Sequence, residues 1–76
     1  MTKLPAITGE RLIKALERSG FSVLRKKGSH VYLLHDDGRA TVVPVHKSET
    51  LGRGLLKKIM RDTELTREAL LKLLAG

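Results

Sequence analysis

Residues 21–45 read FSVLRKKGSHVYLLHDDGRATVVPV, and the alternation of β-formers with turn residues in this stretch decides the fold. Val, Tyr and Leu dominate residues 21–26 and 30–35, which predicts two strands with a turn at Lys27-Gly28-Ser29 between them. Asp36-Asp37-Gly38-Arg39 is a stronger hairpin signal, because an Asp-Gly pair tolerates the positive φ that tight hairpin turns demand. A third strand follows over residues 40–45. Pro44 has no N–H for a sheet ladder, so it belongs at a strand end or an edge, and it marks where that strand stops.

Helical patterns flank this β segment. Before it, Thr8 is placed to cap a helix over residues 9–19, with Leu12, Ala15, Leu16 and Ser19 at helical spacing and Gly20 placed to end it. After it, residues 47–50 form a linker. Leu55, Leu56, Ile59 and Met60 then make one helical stripe, and beyond Thr66 Leu70, Leu71, Leu73 and Leu74 make another. The predicted order is α-β-β-β-α with a short extra C-terminal helix, which a three-stranded antiparallel sheet with helices on one face satisfies. There is no internal repeat and no low-complexity stretch, and one domain over residues 1–76 is expected.

The chain carries 15 Lys and Arg against 8 Asp and Glu, a formal net charge of +7. Such a balance favours polyanions, whose counterions are released on binding. The excess is uneven: seven Lys/Arg stand against two acids in residues 1–34, but eight against six in residues 35–76. An aromatic content of 3% argues against a base-stacking platform, since one Phe and one Tyr cannot build the stacked single-strand surfaces that read bases by π-contacts. With no cysteine there is no disulfide and no thiolate zinc site, and a domain of 76 residues made for an oxidising compartment would ordinarily need such staples. A cytoplasmic protein is expected. No apolar run approaches the roughly 18 residues of a membrane span, and residues 1–7 lack the apolar stretch of a signal peptide.

Chemistry concentrates in Lys26-Lys27-Gly28-Ser29-His30 and, sixteen residues on, Pro44-Val45-His46. A histidine, with an unperturbed pKa near ~6.5, exchanges a proton at neutral pH, while neighbouring cations hold a phosphate against it. RNA suits this pairing, since its 2′-hydroxyl is a built-in nucleophile that needs only deprotonation. His30, opening the second strand after a Gly-Ser turn, is the candidate catalytic residue. Lys26 and Lys27, with Arg25, are the candidate phosphate ligands, and Ser29 is expected to hold the loop backbone through its hydroxyl. His46 is a candidate second acid or base if adjacent strands bring it near His30, and otherwise orders the linker. His35 reads as a surface residue beside the Asp-Asp-Gly turn. Three histidines without an enforced fourth ligand do not make a zinc site, so no metal and no other cofactor are expected.

Gly20-Phe21, Gly28-Ser29-His30, Pro44-Val45-His46 and Gly54-x-Leu56-x-x-Ile59 follow in the order and spacing of the HicA toxin family, which the chain resembles over residues 8–59. The sequence departs from the family pattern at Leu55, where threonine is frequent, and at Thr63-Glu64, where Ala-Gly is more usual. The resemblance implies a double-stranded-RNA-binding-domain-like fold and an mRNA interferase, an endoribonuclease whose catalytic histidine corresponds to His30. It also implies a HicB-type antitoxin as partner, and neither a membrane nor a small-molecule substrate. The rival reading is a non-catalytic RNA-binding module of the same fold.

Overall fold

The computed structural model describes residues 5–75. Residues 1–4, most of the segment expected to lack a signal peptide, and residue 76 lie outside the described part. The elements run α1 (Gly9–Arg18), β1 (Phe21–Lys27), β2 (His30–His35), β3 (Ala40–Pro44), α2 (Arg53–Thr63) and α3 (Arg67–Ala75), as the sequence pattern predicts. The three strands form an antiparallel sheet in the order β1-β2-β3.

Side-chain alternation gives this sheet two unlike faces. Val31 and Leu33 of β2, with Val43 and Thr41 opposite them on β3, are buried, whereas His30 and Leu34, one residue out of phase, are exposed. The buried face meets Ile7, the α1 residues Leu12, Ala15 and Leu16, the α2 residues Leu56 and Ile59, and Leu70 of α3 in one apolar core. Helices therefore lie on one face of the sheet, and among the described residues the other face is open.

Local chemistry sets the ends of α1. The Thr8 hydroxyl accepts the Arg11 N–H at 3.3 Å, which satisfies one of the free amides at the helix start. Ser19 is not part of the apolar stripe as expected. Its hydroxyl donates to the Leu16 carbonyl at 2.8 Å and closes the helix one residue early, before Gly20 turns the chain at φ +103°.

The first hairpin is tighter than the sequence predicts. Lys27 pairs directly with His30, so Gly28 and Ser29 alone make the turn. Gly28 has φ +59° and Ser29 is not among the positive-φ residues, the pattern of a II′ turn that suits the natural strand twist. The second hairpin is the looser one. The Gly38 N–H donates to the His35 carbonyl at 2.9 Å and the His35 N–H to the Arg39 carbonyl at 2.8 Å, leaving a three-residue loop in which Gly38, at φ +97°, takes the left-handed position. Asp37 accepts the Arg39 backbone N–H at 3.0 Å and its Nε at 2.8 Å, and these bonds, the backbone one foremost, hold its carboxyl below the ordinary range.

β1 carries an irregularity that the sequence does not announce. Val23 pairs with Leu33 and Arg25 with Tyr32, so Leu24 is an extra residue, a β-bulge, and 64% of it is exposed. Before the bulge Phe21 faces the core. After it Lys26, opposite Val31, lies on the helix side, while Arg25 and Lys27, opposite Tyr32 and His30, lie on the open side.

α2 ends with Glu64 at φ +56°, its N–H donating to the Arg61 carbonyl and the next N–H, of Leu65, reaching back to the Met60 carbonyl. This double closure normally uses glycine in the left-handed position, since a Cβ costs about 1–2 kcal/mol there. Glu64 is exposed. Glu64→Gly should therefore stabilise the fold by about 0.5–1 kcal/mol, a rise of roughly 4 °C in Tm for a domain of this size, measured by thermal and urea unfolding. A lower Tm would show that the αL strain is already relieved.

Candidate functional site

The site is built at one end of the sheet. His30 opens β2, is exposed, and lies between Lys27 on β1 and Pro44 on β3 as its cross-strand partners. Directly opposed residues in an antiparallel sheet share a face, so Lys27 and His30 present their side chains together. Arg25, two residues back along β1, joins the same face. Its guanidinium lies 4.9 Å from the centroid of the Tyr32 ring.

The segments leading into α1 and α2 hold this end in place. Thr8 and Thr50 form an isolated bridge, and the Leu51 N–H donates to the Ile7 carbonyl at 2.8 Å, which ties together the chain segments that lead into α1 and α2. Gly9, the first residue of α1, approaches the Pro44 carbonyl so closely that a Cβ would overlap it. Past Pro44 the pairing continues through the Val45 N–H, which donates to the Ser29 carbonyl at 2.7 Å.

The residues singled out from the sequence therefore divide into groups. Arg25, Lys27 and His30 come together on the open face. Lys26 points the other way, into a groove of about 460 Å³ beside α1, with Lys14, Glu10, Glu17, Ile13 and Ser29 around it. Ser29 is half-buried, and it holds the loop through its backbone carbonyl. His46 is exposed, two residues beyond Pro44, and its carbonyl accepts the Glu49 N–H at 3.1 Å, so its backbone does order the linker.

His35 is not the surface residue expected. It is half-buried, meets Phe21 edge-on with ring centroids 5.0 Å apart, and its Nδ1 accepts the Asp37 N–H at 3.1 Å. It braces the second hairpin. Tyr32 joins the site although no motif marks it, since its place two residues after His30 in a strand pattern puts both on one face. The alignment of Arg25 with them had no such signal, because it depends on the bulge.

An exposed imidazole, two cations and no acid on the same face of the three strands can move a proton and hold an anion at one spot. Together with the sheet and its helices, this defines a small basic α+β domain of the double-stranded-RNA-binding-domain-like type. Residues 9–65 match the family model described as HicA toxin of bacterial toxin–antitoxin systems, and the chain belongs to that family. The matched span takes in every site residue named above and ends before α3. A search of curated proteins gave no match to the chain. No helix among the described residues is long and apolar enough to cross a membrane.

Proposed function

We propose that this toxin is an mRNA interferase, a cytoplasmic endoribonuclease that cleaves messenger RNA without a metal and so arrests translation. The observation that carries this reading is the common face of His30, Lys27 and Arg25. In the proposed reaction the His30 imidazole takes the proton of a 2′-hydroxyl. The freed oxygen attacks the adjacent phosphorus, and the P–O5′ bond breaks as the 5′-oxygen leaves with a proton. His46, exposed just past the end of β3, is the candidate donor of that second proton. Lys27 and Arg25 offset the negative charge that grows on the phosphoryl oxygens, an effect worth most where the charge develops. Lys26, turned to the other side of the turn with Ser29, holds the RNA backbone that flanks the cleaved phosphate.

A HicB-type antitoxin would silence the enzyme by covering this face, and an acidic partner would be steered to it by the net charge of +7. The decisive test is incubation of the purified protein with a long unstructured RNA in EDTA. Binding without cleavage would favour the non-catalytic RNA-binding module instead.

The two kinds of cation should separate in this assay. Lys27→Ala and Arg25→Ala should each lower the slope of log affinity against log salt on single-stranded RNA by about 0.7, the amount for one phosphate contact, and should also slow cleavage. Lys26→Ala should lower the slope by about the same amount while leaving the maximal rate unchanged. An unaltered slope in Lys27→Ala would remove that residue from the interface.

A further inference from the structure

The open face of the sheet carries more than the proton-transfer group. Tyr32 stands on the central strand two residues from His30, on the same side and about 7 Å along it. Arg25 covers its ring on one flank, Val42 is its partner on the other, and Leu24, pushed outward by the bulge, and Leu34 continue the apolar surface. Tyr32, Leu24, Leu34 and Val42 line a shallow cavity of about 290 Å³, which Lys58 and Asp62 of α2 also line, the Asp62 carboxylate being engaged by the Thr41 hydroxyl and the Lys58 ammonium at 3.1 Å each.

An apolar floor containing an aromatic ring and a guanidinium plane, without an acid on the three strands and beside phosphate-binding cations, has the chemistry of a nucleobase site. We infer that Arg25 and Tyr32 form a subsite that stacks one base of the RNA next to the phosphate at His30. This rests on the RNA-cleaving reading above and adds to it a residue that orients the substrate. Phe21, the other aromatic ring, is buried in the core, so one base is held and no longer run is read. Because a π-face is common to all bases, the subsite selects for a stacked base over a missing one and discriminates weakly among the four.

Tyr32 is the only tyrosine and there is no tryptophan, so the intrinsic fluorescence of the protein reports on this ring alone. The experiment titrates His30→Ala protein, which cannot consume its ligand, with a six-nucleotide oligoadenylate and with an abasic ribose-phosphate oligomer of the same length. Oligoadenylate should quench the fluorescence saturably, and the abasic oligomer should bind with little quenching. Read by the anisotropy of end-labelled oligomers, since the Tyr32 variants have no intrinsic signal, Tyr32→Leu in the same background should bind oligoadenylate about tenfold more weakly, Tyr32→Phe within about twofold of the parent, and the abasic oligomer should not tell the three proteins apart.

Equal quenching by both oligomers, or an unchanged affinity in Tyr32→Leu, would overturn the subsite and leave the nuclease reading standing. If neither oligomer bound at all, the RNA reading itself would fall and the subsite with it. Flat fluorescence with RNA but quenching by a purified acidic antitoxin would assign the patch to protein docking and overturn the subsite. Thermal unfolding of each variant guards against misfolding, and if Tyr32→Leu fails to fold, the contrast between the two oligomers on the parent protein decides.

Discussion

His30→Ala should fold normally yet lose RNA cleavage and growth arrest together. The side chain is exposed at the start of β2 and fills no part of the core, so its removal should change stability by no more than about 0.5 kcal/mol. The chemistry has no such tolerance. Without the imidazole a 2′-hydroxyl near neutrality has no positioned base, and general acid–base catalysis of this kind contributes about 10²–10⁴-fold. The measurements are single-turnover cleavage of RNA in EDTA, growth on induction in a bacterium, and the unfolding midpoint. Cleavage at the parent rate by a folded His30→Ala protein would refute the assignment of the base.

Gly9→Ala should produce the opposite kind of failure, a loss of stability that drags activity down with it. The added methyl would overlap the Pro44 carbonyl oxygen and press on the Val45 side chain at 3.3 Å. Neither can retreat freely, since Pro44 is paired with His30 and the Val45 N–H is bonded to Ser29. Alanine is the better helix former by about 1 kcal/mol in a helix interior, but Gly9 is the first helical residue and the collision is with backbone. The clash wins. A net loss of about 2 kcal/mol is expected, within the usual range for overpacking, and a fall of roughly 10 °C in Tm. Urea unfolding measures it, and a Tm equal to the parent's would show that α1 can shift away from β3 without cost. Because the displaced residue is the cross-strand partner of His30, the surviving folded protein should also cleave more slowly.

Much of this architecture was legible in the chain. The Asp-Asp-Gly and Gly-Ser signals, the β-rich runs between them and the 3.6-residue stripes on either side are local preferences that agree with the tertiary structure, which is why the element order holds. The motifs that carry the family resemblance lie within the span that matches the family model, residues 9–65. What escaped was directional. Lys26 and Lys27 are neighbours in sequence, and consecutive residues of a strand point to opposite faces, so the pair cannot act as one cluster. His35 looked exposed because it adjoins a polar turn, yet the register pairs it with Phe21 and turns it inward. Neither outcome follows from composition or spacing without the pairing of the strands.

Leu24 shows how such directions can be set. A single surplus residue works as a frame shift in side-chain orientation: upstream of it β1 is read in one phase by the core, downstream in the other phase by the solvent-facing site. The two halves of one strand are thereby uncoupled. Substitutions at Phe21 can retune packing, and substitutions at Arg25 or Lys27 can retune the ligand surface, with neither half forcing a compromise on the other.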